Sequence, residues 1–289
     1  MFTVLRYKWL KLDSRDFSTT EMIFLLCCIG SIALVNGQGK SPSRRIIDGN
    51  IAQPSQFPYV ARLFYKKIPE CSATIIHERW ALTAGHCIKH NRSDPTILVG
   101  SVNSQSDKNG AYYNAERLIQ HEQYVYIPGS QNNGKEYVVN DIGLVRLNRP
   151  IEFTANVQKI RVPNYVENYA NAIGKIVGFG LRTVSLTAGV SNNQLHYGTV
   201  RLITNEECRA FYPYVMDKHL CAAIVGRNSP CSGDSGGPLI VKGNEIGITS
   251  TIADENICNP NAGPSLFTKV DRFKPWIQQH LAAYGEWLP

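Results

Sequence analysis

From residue 46 onward the chain breaks into short runs of branched and aromatic residues, and this limits what it can fold into more than any other feature. "VARLFY" (60–65), "ATIIHERWALTA" (73–84), "IGLVRL" (142–147), "KIVGFG" (175–180) and "EIGITSTI" (245–252) have the composition of strands. Between such runs lie "DKNG" (107–110), "PGSQNNG" (128–134) and "KGN" (242–244), rich in the residues that turns require. Many short strands with this punctuation predict an all-β protein, a barrel or a sandwich. A helical period emerges only near the C-terminus. In "VDRFKPWIQQHL" Val270, Phe273, Trp276, Ile277 and Leu281 share one face. Asp271 is the expected cap of that helix, and Pro275 is tolerable only in its first turn. The polar, proline-marked passage "RPIEFTANVQKIRVPN" (149–164) is expected to link two β-halves.

The N-terminal segment has a different character. Its apolar run "IFLLCCIGSIALV", Ile23 to Val35, is thirteen residues long, short of the ~20 that a membrane-spanning helix needs. It fits the core of a signal peptide cut ahead of Gln38, so residues 1–37 are expected to be a signal peptide with a long polar N-terminal extension. Met22 is an alternative start, and an uncleaved anchor is the competing reading. The expectation is a secreted, extracellular protein without a stable membrane anchor. Cys27 and Cys28 leave with the signal peptide, and Cys71, Cys87, Cys208, Cys221, Cys231 and Cys258 remain. An even count in an exported chain points to disulfides, with fifteen connectivities open to these six cysteines. None of the six has metal-ligand spacing, so no metal is expected. The net charge of +7 is concentrated early: residues 1–45 carry seven Lys/Arg against three Asp/Glu, leaving +3 for the rest. No basic run with interleaved aromatics follows, which argues against nucleic acid as a partner.

Three motifs carry chemistry when taken together. "TAGHC" sets His86 beside Cys87, "NDIGLVRL" sets Asp141 at the head of an apolar strand, and "CSGDSGGPL" sets Ser235 among glycines. Each alone has an ordinary structural explanation as a turn, cap or core residue. Jointly they supply what acyl transfer needs. A serine hydroxyl requires a base to take its proton, and a neutral imidazole suits that near neutral pH. The imidazole requires a carboxylate on its other nitrogen. A tetrahedral oxyanion requires fixed donors, which the N–H groups of Gly233 and Ser235 could provide.

With these motifs the chain resembles the chymotrypsin-fold (trypsin-like) serine proteases from Ile46 to about residue 283, and its secreted invertebrate members of chymotrypsin or elastase type in particular. The order His86, Asp141, Ser235 is the order of that fold. The resemblance implies two packed six-stranded antiparallel β-barrels with a C-terminal α-helix, and a protease domain over residues 46–289. It implies that "RRIIDG" is an activation site, with residues 38–45 a propeptide, cleavage after Arg45, and the new amine of Ile46 pairing with Asp234. It also implies the disulfides Cys71–Cys87, Cys208–Cys221 and Cys231–Cys258. No cofactor follows from it. "NRS" at Asn91 is a glycosylation sequon.

By the same resemblance Ser229 lies at the floor of the substrate pocket, where trypsin-like members carry an aspartate. Cleavage after Lys or Arg is then not expected, and a separate trypsin-like protease must act at Arg45. Ser250, Ile252 and Ser265 fall at pocket positions, and a branched Ile252 in place of glycine suggests a shortened pocket. The expected enzyme is a secreted serine endopeptidase, made as a zymogen and acting as a monomer on protein or peptide substrates. It would cleave after small or medium apolar residues and have protein protease inhibitors as further partners. Chymotrypsin-like preference for Phe, Tyr or Leu is the alternative, followed by a protease-like binding or regulatory protein. A lectin or adhesion module leaves "RRIIDG" and "GDSGGP" unexplained. Gly85, in place of the family's commoner alanine, and Ser72–Ala73, in place of glycines, are departures near the site.

Overall fold

The computed structural model describes residues 49–103, 110–128, 131, 137–180, 193–225, 229–252 and 263–288. Their strands are β1 (Asn50–Ile51), β2 (Val60–Tyr65), β3 (Ile68–His77), β4 (Trp80–Thr83), β5 (Pro95–Val99), β6 (Ala111–Gln120), β7 (Val125–Ile127), β8 (Tyr137–Val139), β9 (Gly143–Leu147), β10 (Ile173–Gly178), β11 (His196–Ile203), β12 (His219–Ile224), β13 (Pro238–Val241), β14 (Asn244–Ile252) and β15 (Ser265–Lys269). "VARLFY" is β2 with the expected bounds, whereas "ATIIHERWALTA" divides into β3 and β4. Its charged Glu78–Arg79 pair forms the turn between two strands that pair in antiparallel fashion.

Two six-stranded antiparallel barrels result. In the first, β2, β3, β4, β9, β6 and β5 pair in that order and close on themselves. In the second, β10, β11, β12, β15, β14 and β13 form the ring, and β1 adds to β11 beside β12. Closure leaves no free edge on either ring. The hairpin between β2 and β3 turns on Lys66 and Lys67, both left-handed at φ 50° and 65°, the geometry that follows the twist of paired strands. The "KGN" turn does the same between β13 and β14, with Lys242 at 49° and Gly243 at 77°. The chain from Leu147 to Ile173 carries no strand and passes from one barrel to the other.

Apolar packing follows the strand faces. A core of Leu63, Ile75, Leu82, Ile97, Leu144 and their neighbours fills the first barrel and continues onto Val177, Phe179 and Ile248 of the second half. Ile176, Val200, Leu202, Leu239 and Phe267 pack inside the second barrel. The disulfides Cys71–Cys87 and Cys208–Cys221 are present as expected. Cys231 is also disulfide-bonded, and its expected partner Cys258 lies outside the described residues. Among the described residues no helix is long and apolar enough to cross a membrane; the run 23–35 is not among them.

The C-terminal helix differs from expectation at its start. Residues Val270–Phe273 form a 3-10 turn, and the α-helix proper is Lys274–Ala282, with Pro275 in its first turn and no side-chain cap. Asp271 is not the cap. Its carboxylate turns inward, accepts the Glu167 N–H at 3.3 Å and lies 3.7 Å from Lys269 Nζ. Ring constraint explains the shift, because proline can enter a helix only where its missing N–H is not needed. Ile277 and Leu281 bury the face that the helical period marks.

Candidate active site

His86 follows β4 in a 3-10 turn, Gly85–Cys87, pinned by the disulfide of Cys87 to β3. Asp141 follows β8 across Asn140, which is left-handed at φ 52°. The two meet twice. His86 N–H donates to Asp141 Oδ1 at 2.8 Å, and His86 Nδ1 lies 2.8 Å from Asp141 Oδ2. The imidazole side chain is 32% exposed while the carboxylate is 2% exposed, so the base is reachable and its anchor is not. Burial alone would push Asp141 up, but the charge of His86 and hydrogen bonds from His86 and Ser250 hold it below the ordinary carboxylate range. An ionised Asp141 accepts the Nδ1 proton, which makes Nε2 the basic nitrogen of the ring.

Two further groups complete the aspartate's surroundings, and neither role was visible in the sequence. Ser250 Oγ donates to Asp141 Oδ2 at 2.5 Å, and Thr268 Oγ1 donates to the Asp141 carbonyl at 2.8 Å. Both come from the second barrel. The register of β14 against β15 shifts between Thr249 and Thr251, so Ser250 is the extra residue of a bulge. A bulge re-aims a side chain off the regular pleat, and here the hydroxyl faces Asp141. No local pattern in "ITSTI" announces such a bulge.

Ser235 is half-buried in the loop before β13. Its carbonyl accepts the Ser72 N–H at 2.8 Å, and the next residue's N–H donates to Thr249 O at 2.8 Å. Gly236 is left-handed at φ 79°, and a Cβ there would fall 2.2 Å from Thr83 Oγ1, 2.4 Å from Ser72 O and 3.1 Å from Ala84 N. Only glycine fits. This close approach seats the Ser235–Gly236 backbone against Thr83–Ala84, the segment that runs directly into His86. Gly233 is also left-handed, at φ 95°. Among the described residues neither the Gly233 nor the Ser235 N–H is taken by a protein acceptor, as an oxyanion site requires.

Asp234 is buried beneath this loop. It accepts Gly180 N–H at 2.8 Å on Oδ1 and Cys231 N–H at 2.9 Å on Oδ2. Burial pushes its carboxyl up to about 6 against the opposing pull of those two N–H groups and of Arg62. Arg45 and Ile46 lie outside the described residues.

At the pocket positions Ser229 is buried, with its hydroxyl donating to Pro230 O at 3.2 Å. Ser265 is buried and pairs in register with Ile252, whose side chain is outside the described residues. Asn91 is exposed in the turn after the His86 segment. Gly85 has a local reason: a Cβ there would stand 3.1 Å from the Tyr124 ring and 3.2 Å from Asp141 Oδ1. His86 lies with Cys71 and Cys87 in the one cluster of metal-ligand type found among the described residues, and both sulfurs there are bonded to each other.

The sequence profile of the family described as Trypsin matches residues 46–277. Chymotrypsin-2 of Vespa crabro is 31% identical, with 81% of this chain and 99% of that one covered. Chymotrypsin of Phaedon cochleariae is 29% identical over 88% of this chain and 87% of its own length. Among solved structures, neuropsin, a serine protease expressed in the limbic system of mouse brain, superposes with a TM-score of 0.70 at 27% identity, covering 81% of this chain and 98% of that one.

Proposed function

Since this chain belongs to the trypsin family of serine endopeptidases, we propose that His86, Asp141 and Ser235 perform its catalysis. His86 Nε2 takes the Ser235 hydroxyl proton as Oγ bonds to the scissile carbonyl carbon. Asp141 stabilises the imidazolium that forms, and the N–H groups of Gly233 and Ser235 hold the oxyanion. The imidazolium then gives its proton to the leaving amine as the C–N bond breaks and an acyl-enzyme remains. Water, deprotonated by the same imidazole, attacks the ester and releases the acid with Ser235 restored. The observation that carries this reading is the doubly anchored His86–Asp141 pair with the Ser235–Gly236 backbone set against its supporting segment.

The same reading makes residues 1–37 a signal peptide and 38–45 a propeptide. The protein is then a secreted zymogen that a separate trypsin-like protease cleaves after Arg45. Asn91, exposed in the turn after the His86 segment, is its glycosylation position. Ser229 supports cleavage after uncharged residues, since a buried hydroxyl offers no countercharge to Lys or Arg. Small or medium apolar residues are the first choice. The relatives named chymotrypsin favour the second reading, a preference for larger apolar residues.

An active-site fluorophosphonate tests the core of this function. Chain cleaved after Arg45 should be labelled at Ser235, and Ser235→Ala should abolish both labelling and peptide hydrolysis. Cleaved, folded protein that resists the probe would refute it. A peptide library varied at the residue before the cut separates the two preferences.

A further inference from the structure

Arg62, on β2, is a cation that the fold buries, with 5% exposure. Its partner across the β2–β3 ladder is Ser72, and residues opposite each other in an antiparallel pair share one face of the sheet. On that face the Ser72 hydroxyl donates to Gly233 O at 3.0 Å. The Arg62 side chain is therefore directed toward the nucleophile loop, and its guanidinium lies over the Phe179 ring at 5.0 Å from the centroid. The Asp234 carboxylate adjoins the two neighbours of that same phenylalanine. A Cβ on Gly178 or Gly180 would fall 2.1 or 2.3 Å from its oxygens, so glycine at both positions makes room for it. Cation and carboxylate thus share one short segment, Gly178–Gly180. Burial pushes Arg62 down to about 10, and the charge of Asp234 opposes that shift.

We propose that Arg62 is a positioning residue for the Asp234 loop. It is an internal cation that keeps the carboxylate, and with it the Gly233 and Ser235 amides, in working geometry before the Ile46 amine is liberated. This rests on the serine protease reading above. A buried carboxylate is tolerated only with a nearby positive charge and satisfied hydrogen bonds. In the uncleaved chain Arg62 provides that charge without any cut. Cleavage then adds a second cation and raises an activity that already exists at a low level.

The test compares uncleaved and cleaved full-length protein by the rate of fluorophosphonate labelling. The uncleavable Arg44→Gln/Arg45→Gln chain should be labelled faster than its Ser235→Ala counterpart. Adding Arg62→Met should slow that labelling about tenfold or more, and Arg62→Lys should restore most of it. In cleaved protein Arg62→Met should produce a smaller loss, about threefold, because the Ile46 amine shares the task. Should Arg62→Met not fold, as judged by thermal unfolding, Arg62→Gln removes the charge while keeping hydrogen-bonding capacity, and the same comparison applies. The proposal is overturned if the uncleavable chain is labelled no faster than Ser235→Ala. It is equally overturned if loss of the charge leaves uncleaved labelling unaltered, or slows both forms alike without rescue by lysine. If cleaved wild-type protein is itself not labelled, the protease reading fails first.

Discussion

Glu245 is fully buried on β14 where the two barrels meet, and it offers a sharp test of the packing. Thr74 of the first barrel adjoins it, yet among the described residues neither carboxyl oxygen nor the Thr74 hydroxyl has a hydrogen-bond partner. Burial pushes the carboxyl from its ordinary 4.5 up to about 8. Between those values the folded chain keeps a proton that the unfolded chain releases, so stability falls as pH rises through this window. Each pH unit corresponds to about 1.4 kcal/mol. The accumulated loss is therefore about 3 kcal/mol at pH 7 and about 5 kcal/mol above pH 8. Glu245→Gln removes the titration but keeps the shape. In a Ser235→Ala background, which prevents self-digestion, urea unfolding should find parent and variant alike near pH 4.5. The variant should then gain progressively, to about 5 kcal/mol near pH 9. A gap that does not change with pH, or a variant less stable than its parent at pH 9, would refute the reasoning.

Other outcomes follow from the site. Ser250→Ala deletes a hydrogen bond to a charged group, of about 1.5 kcal/mol at least, and should lower kcat about tenfold with little change in KM; steady-state kinetics on a peptide ester decides. Gly236→Ala drives a Cβ into Thr83 and Ser72, and the displaced loop should lose about a hundredfold or more in phosphonate labelling while circular dichroism is retained. Ser229→Asp places a carboxylate at the pocket floor and should shift selectivity toward Arg by about a hundredfold in a peptide-library profile. An unchanged profile would remove Ser229 from the pocket.

Much of this protein was legible before any coordinates. Strand β2 and the "KGN" turn follow from residue types whose backbone preferences act locally. The glycines around Ser235 announce a left-handed, crowded loop, and both Gly233 and Gly236 occupy left-handed conformations. The helix face Ile277–Leu281 was equally readable, although its starting point was not, because proline's ring overrode the capping signal of Asp271.

The remainder depended on barrel closure. Ser250 meets Asp141 from 109 residues away, through a bulge whose register is set by pairing with β15 and not by its own sequence. Arg62 reads in sequence as one more alternating residue of a strand, and Glu245 as a polar residue beside a turn. Only the approach of two closed sheets removes them from water, and that desolvation turns one into a counter-charge and the other into a proton-holding liability. Local chemistry is written in neighbouring residues. Burial and charge pairing arise where distant segments meet, and so tertiary structure alone decides them.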